Sequence, residues 1–351
     1  MKLLANGLLV RGLVALSILA FIAGCGDKKT EESAEGAPAA AAPGGGDEGS
    51  ADKQIVVGFS QIGAESAWRM ANTTSIKSEA EKRPNIKLIF SDAQQKQENQ
   101  IKALRSFIDQ KVDVIAFSPI VESGYGPVLK EAKAAGIPVI LSDRQVDLDD
   151  DSLWVSFMGS NFYEEGVKAG KWLKENYDRL KLPEKKSDSV NVVELQGTVG
   201  SAPANDRFKG FRDGLKDAPQ FKITKTQTGD FTRAKGKEVM EAFLKADKNI
   251  DVLYAHNDDM ALGAIQAIEE AGLKPGKDII IVSVDAVRGA FEAMVEGKLN
   301  CTVECSPLLG PQLYDAVEKL MKGETLPKVI WTEEGVFPQE VAKEALPTRQ
   351  Y

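Results

Sequence analysis

The stretch Asp251-Val-Leu-Tyr-Ala-His-Asn-Asp-Asp-Met260 joins a short apolar run to a helical one. Its apolar residues up to Ala255 are consecutive rather than alternating, which predicts a strand buried on both faces, as in a parallel sheet. Asn257 and Asp258 stand where a helix N-cap belongs, with Asp258 read as the cap. Met260, Leu262, Ala264, Ile265 and Ile268 then recur at helical spacing up to Gly272, a C-terminal stop signal. A polar side chain is thereby held at the carboxyl end of a strand, the edge at which open α/β sheets bind small ligands.

The same unit recurs along the chain. Apolar runs from Ile55, Ile86, Val112 and Ile137 end at Ser60-Gln61, Ser91-Asp92, Ser118-Pro119 and Ser142-Asp143-Arg144. Trp154 to Met158 leads to Gly-Ser-Asn161, and runs from Val190, Phe221 and Ile279 end at Gln196, Gly229-Asp230 and Asp285. Strand starts are spaced roughly as βα units are, at about 25 to 35 residues, so parallel sheets with right-handed crossovers are expected. The helices between them carry apolar stripes such as Ile101, Leu104, Phe107 and Ile108, or Phe208, Phe211 and Leu215. The rhythm breaks between Arg144 and Val190. One open sheet of about eight to ten strands is large, and two Rossmann-like lobes fit 351 residues better.

Composition narrows the function. With 43% hydrophobic and 27% charged residues and a net charge of −8, no Lys/Arg cluster stands out to collect phosphates, which argues against a nucleic-acid partner. Lys2 and Arg11 precede an apolar stretch from Leu13 to Ile22 and then Ala23-Gly-Cys25, the pattern of a lipoprotein signal peptide over residues 1–24 with Cys25 as the lipidated residue. Residues 25–53, rich in Ala, Gly, Pro, Glu and Ser, cannot bury a core and read as a flexible tether. The protein is then expected in the periplasm or at the cell surface, held to a membrane face. Cys301 and Cys305, about 13 Å apart along a strand, are beyond disulfide reach and read as buried thiols. With His256 the only histidine and no third thiol, no metal site is expected.

At the strand ends stand Gln61, Glu65, Ser66, Trp68, Arg69, Asp92, Asp143, Arg144, Asn205, Asp206, Arg207, Asp230, Phe231, Asn257, Asp285 and Glu304. Carboxylates, guanidiniums, amides and aromatics of mixed sign suit a neutral polyhydroxyl ligand: each hydroxyl can donate to an Asp and accept from an Arg or Asn, while an aromatic face covers C–H groups. A single strand-end Asp is as well explained by a cap or an ion pair, but Asp143-Arg144 is more specific, since capping leaves the Arg unexplained. His256, without a positioned Ser or Cys, reads as structural. Gln196-Gly-Thr-Val-Gly200 lacks the spacing of a dinucleotide fingerprint and reads as a tight turn into a helix, so no cofactor is expected. No Walker motif or G-x-S-x-G elbow occurs.

Five longer motifs carry a family resemblance: Gly58-Phe-Ser-Gln-Ile-Gly-Ala-Glu-Ser-Ala-Trp-Arg69, Asp92-Ala-Gln-Gln-Lys-Gln-Glu-Asn-Gln-Ile101, Val193-Glu-Leu-Gln-Gly-Thr-Val-Gly200, Gly229-Asp-Phe-Thr-Arg-Ala-Lys-Gly-Lys-Glu-Val-Met-Glu241 and Ala255-His-Asn-Asp-Asp-Met260. With them the chain, from about Ile55 onward, resembles the type I periplasmic sugar-binding proteins of ABC transporters, the ribose-binding-protein class, and more closely its galactofuranose-binding branch. The resemblance implies a monomeric receptor of two lobes, residues 54–159 with 306–330 and 160–305 with 331–351, joined by three crossings near residues 159, 305 and 331. It implies ligand contacts from Trp68, Arg69, Asp143, Arg144, Arg207, Phe231, Asn257 and Asp285, with Glu65 and Glu304 beside them. It further implies no catalysis and delivery of a monosaccharide to an ABC permease. A ligand sensor for a chemoreceptor or histidine kinase is the alternative, and a carbohydrate-active enzyme using paired carboxylates such as Asp143 and Asp285 is a more distant one. On this reading Arg144→Ala costs about 2 to 4 kcal/mol of binding, because it strands hydroxyls and Asp143 in a dry cleft. Titration calorimetry checks it, and unchanged affinity overturns the role of Arg144.

Overall fold

A computed structural model describes residues 54–180 and 189–351. The signal segment, Cys25 and the tether expected from the sequence lie outside the described residues. Twelve strands form two six-stranded sheets. The first contains β1 (Ile55–Gln61), β2 (Ile86–Asp92), β3 (Val114–Phe117), β4 (Val139–Ser142), β5 (Ser156–Gly159) and β11 (Val329–Trp331). The second contains β6 (Val190–Gln196), β7 (Phe221–Thr228), β8 (Val252–Ala255), β9 (Ile280–Asp285), β10 (Cys301–Glu304) and β12 (Val336–Pro338). Across each sheet the order has the same form, β2-β1-β3-β4-β5-β11 and β7-β6-β8-β9-β10-β12.

Every pairing is parallel except that of β12 with β10. This differs from the expected all-parallel sheets, and the reason is length: β11 and β12 have three residues each, too few for an apolar periodicity to show in sequence. The chain passes between the sheets three times: after β5, after β10, and between β11 and β12.

Among the described residues ten α-helices lie between the strands: α1 (Ala67–Glu81), α2 (Gln97–Asp109), α3 (Gly126–Ala134), α4 (Phe162–Asn176), α5 (Ala202–Gly214), α6 (Arg233–Ala246), α7 (Asp258–Glu270), α8 (Arg288–Val295), α9 (Gly310–Met321) and α10 (Ala342–Ala345). The polar residues after the strands start several of them. Ser66 accepts from Arg69 N at 3.1 Å, Asn161 from Glu164 N at 3.1 Å and Asn257 from Met260 N at 3.0 Å, each quenching an amide that helix geometry leaves without a partner. The cap of α7 is therefore Asn257, not Asp258. Asp258 is instead fully buried and accepts from Ser283 Oγ at 2.5 Å, Thr302 Oγ1 at 2.9 Å and Val287 N at 2.9 Å. Cys301 and Cys305 are both free and buried, as expected.

One packing contact sets the position of later site residues. Helices α4 and α5 approach until a Cβ on Gly210 would lie 2.0 Å from the carbonyl oxygen of Tyr163, and one on Gly166 would lie 2.6 Å from that of Arg207. Only glycine permits this approach, and it places Glu165 of α4 against Arg207 of α5, 2.7 Å apart. Gly210→Ala must push the two backbones apart. It is expected to cost at least about 2 kcal/mol of stability, read as a lower urea midpoint at unchanged slope.

Candidate functional site

Thirteen residues surround a cleft of about 290 Å³ with its mouth included: Glu65, Ser66, Trp68, Arg69, Asp143, Arg144, Phe162, Pro203, Arg207, Phe231, Asn257, Asp285 and Cys305. Of the ten ligand contacts expected from the sequence, nine lie here. Ser66, Phe162, Pro203 and Cys305 complete the wall. Phe162 and Pro203 sit in the first turn of α4 and of α5, where an aromatic or a proline reads as ordinary helix-start chemistry.

Glu304 does not reach the cleft. It precedes Cys305 in an extended segment, and successive side chains of such a segment face opposite ways. Glu304 Oε1 accepts from Arg349 Nη1 at 2.9 Å and from the Tyr351 hydroxyl at 3.1 Å, and Oε2 accepts from Gly335 N at 3.2 Å. Its strand-end position thus serves to hold the chain's last residues. Asp92, Asn205, Asp206 and Asp230 are also outside the wall. Asp92 bonds the nearby Gln94 amide, Asp230 pairs with Lys235, and Asn205 donates to Glu122 at 2.5 Å.

On one side of the cleft Arg69 is buried with a full set of acceptors. Its Nη2 donates to Asp143 Oδ2 at 2.7 Å, Nε to Glu65 Oε1 at 3.1 Å, and Nη1 to Gln61 Oε1 at 3.2 Å. Burial alone lowers the affinity of a guanidinium for its proton, but Asp143 and Glu65 outweigh that and raise it. Asp143 Oδ2 also accepts from Ser118 Oγ at 2.9 Å. Arg144 donates by Nη1 to Ile120 O at 3.1 Å and lies 5.2 Å from the Phe231 ring centroid, but its Nε has no partner. Burial first, and Arg69 second, bring its pKa down to about 10. Trp68 donates its indole N–H to Cys305 O at 2.6 Å, fixing the ring between α1 and the end of β10.

On the other side Arg207 is the hub. It donates by Nε to Glu165 Oε2 at 2.7 Å and by Nη1 to His256 O at 2.5 Å, and its Nη2 lies 3.7 Å from Asp285 Oδ1. Burial opposes its charge, yet Glu165, Cys305 and Asp285 hold its pKa well above the usual value. Burial pushes the Asp285 carboxyl up, with Arg207 pulling against it. Asn257, whose oxygen caps α7, donates by Nδ2 to Phe231 O at 3.1 Å and so has both ends occupied. His256 is fully buried behind the wall, with Nε2 3.1 Å from Glu194 Oε1, the structural role expected of it. Glu165, which sequence reasoning passed over, lies inside a helix with nothing local to distinguish it.

Two wall atoms are buried without a hydrogen-bond partner, Glu65 Oε2 and Arg144 Nε, the latter 3.8 Å from Asp143 Oδ2. Buried polar atoms are paired as a rule, and an acceptor and a donor left open beside the same cleft are what a hydroxyl-bearing molecule can satisfy.

Two parallel-dominated α/β sheets of matching strand order, with such a cleft at their strand ends, define the type I binding-protein fold. A family model described as periplasmic binding protein domain matches residues 57–325, and the chain belongs to that family. It is 51% identical over 296 residues to the galactofuranose-binding protein YtfQ of Escherichia coli (strain K12), covering 83% of this chain and 90% of that one. Among solved structures, a Mycobacterium smegmatis protein in complex with β-D-fucofuranose is 52% identical with a TM-score of 0.81, covering 85% of this chain and 95% of that one. The binding component of the arabinose ABC transporter of Shewanella sp. ANA-3, bound to α- and β-L-arabinofuranose, is 51% identical with a TM-score of 0.79 over 84% and 96% of the two chains.

Asp143→Ala would leave the Arg69 and Arg144 guanidiniums buried side by side without the carboxylate between them. Removing one partner of a buried ion pair costs about 3 to 5 kcal/mol, so urea unfolding of the ligand-free variant should show a loss of that size.

Proposed function

We propose that the chain is the extracytoplasmic solute-binding component of an ABC importer, and that its ligand is a monosaccharide in the furanose form, galactofuranose or a close relative. The observation that carries this reading is the charge balance of a closed polar cleft. Arg69, Arg144 and Arg207 face Glu65, Asp143, Glu165 and Asp285, and burial pushes Asp285 toward its neutral form. So near a balance gives little to attract a charged ligand, whereas Glu65 Oε2 and Arg144 Nε await a donor and an acceptor. Trp68, Phe162 and Phe231 supply the apolar surface that the C–H groups of a sugar cover. The furanose ring form is favoured by the names of the three relatives above.

On this proposal two lobes, residues 54–159 with 306–330 and 160–305 with 331–351, close on the sugar about the three crossings. Closure draws on contacts at the cleft rim: Asn205 with Glu122, Glu122 N to Gly200 O at 2.9 Å, and Ala67 N to Asp259 Oδ2 at 2.7 Å. The ligand shifts the equilibrium by preferring the closed form, the form a permease would recognise. The chain works as a monomer without covalent chemistry, held to the membrane by a lipid on Cys25, with residues 1–24 removed and 25–53 serving as tether.

A thermal-shift panel of L-arabinose, D-galactose, D-fucose, D-ribose and D-glucose tests the ligand class. A true ligand at 100 times its dissociation constant adds about 2.7 kcal/mol of stability. The expected result is a clear rise in Tm with sugars that populate furanose forms and none with D-glucose. A panel without any shift, or release of product from a glycoside, overturns the proposal.

A further inference from the structure

Beside the cleft, the three passages of the chain between the sheets meet at one carboxyl group. Glu334, in the passage from β11 to β12, accepts on Oε1 from Ser160 Oγ in the passage after β5. The same oxygen accepts from Ser306 N at 2.9 Å in the passage after β10, and from Thr332 Oγ1 at 2.8 Å in its own. Glu165 and Cys305 complete a cluster with Glu334 in which one side-chain oxygen or sulfur of each lies within 4.8 Å of the others. Glu165 is 1% exposed, and its Oε1 has no partner.

A proton suits this cluster better than a metal ion. Three donors already occupy Glu334 Oε1, and the Arg207 guanidinium sits 2.7 Å from the other oxygen of Glu165. The Cys305 thiol is pushed up by burial and then by Glu165, so it keeps its own proton. Glu334, half-buried, is left to carry one as well on Oε2, since two carboxylates at close range, one of them fully buried, resist both being ionised. Burial first, and Glu165 second, push Glu334 up to about 8, against the three hydrogen bonds that favour its carboxylate.

We infer that Glu334 is a proton-operated clamp on the hinge: as a neutral acid it holds the three passages in the closed arrangement, and as a carboxylate facing Glu165 it releases them. This rests on the two-lobe reading proposed above. The groups that face it are Glu165 and Lys168 of α4, the latter donating to the Glu334 backbone oxygen at 2.9 Å, and Cys305 after β10. Behind Glu165 lie Arg207 of α5 and Asp285 of β9. When the lobes part, the carboxyl meets water and returns toward its ordinary range. The closed form therefore holds the extra proton; its advantage is complete below the ordinary carboxylate range and is lost as pH rises through about 8.

Glu334→Gln tests this, because its amide keeps one oxygen to accept the three bonds and an N–H in place of the acid proton. Wild-type affinity for L-arabinose, measured by calorimetry, should weaken by up to about a hundredfold between pH 6 and pH 9, while E334Q should stay near the wild-type pH 6 value throughout. In small-angle scattering, ligand-free wild type should be more compact at pH 6 than at pH 9, and E334Q equally compact at both. Ser160→Ala, which removes one donor to the carboxylate, should move the wild-type midpoint to higher pH. The same pH dependence in wild type and E334Q overturns the clamp. If no sugar of the panel binds at any pH, the sugar reading fails there, and scattering decides the clamp alone: a radius independent of pH refutes it.

Discussion

The cleft depends on the burial of two guanidinium groups, Arg69 and Arg207, one from each set of strand ends. Removing such a charge from water costs several kcal/mol, which is offset only when geometry and hydrogen bonding are good. Each arginine therefore dictates its surroundings. Arg69 draws Gln61 and Glu65 from the end of β1 and its connection to α1, and Asp143 from the end of β4, around itself. Arg207 does the same with Glu165, the His256 carbonyl and Asp285. A side chain held by three partners has one rotamer left to it, so the walls are rigid before any ligand arrives, and little ordering entropy remains to be lost on binding.

The backbone is bent to the same end. Asp143, Phe231 and Asp285 have φ of 68°, 61° and 124°, conformations that cost a non-glycine residue about 1 to 3 kcal/mol each. All three are wall residues: Asp143 follows β4, Phe231 lies in the turn after β7, and Asp285 is the last residue of β9. Asp143 is pinned there by its amide bonding to Met158 O at 2.8 Å. Strain held in this way by neighbouring strands is characteristic of sites, although Gln94 and Gln95 after β2, and Asp230 and Ala286 beside two of the wall residues, share the conformation.

Much of this was legible from residue order, because a buried parallel strand followed by a polar cap leaves a strong local signature. The signature finds a strand end but does not say which way a side chain turns once the strand has ended. That is why Cys305 lies in the wall where the sequence points to Glu304, and why Asn257, itself in the wall, caps α7 in place of Asp258: a one-residue step reverses the face. Glu165 and Phe162 were missed for a different reason. Their meaning arises from the glycine-permitted approach of α4 and α5, a contact between segments some forty residues apart. Glu334 lies between two strands too short to announce themselves.

The last two strands, β11 and β12, close the same edge of the two sheets, yet both come from a span of ten residues, 329 to 338. During synthesis neither sheet can finish its edge until that span has been made, although ten strands are already available. A nascent chain thus exposes the backbone amides and carbonyls of β5 and β10 until almost the last moment. Those open edges are templates on which another chain can pair until the span arrives.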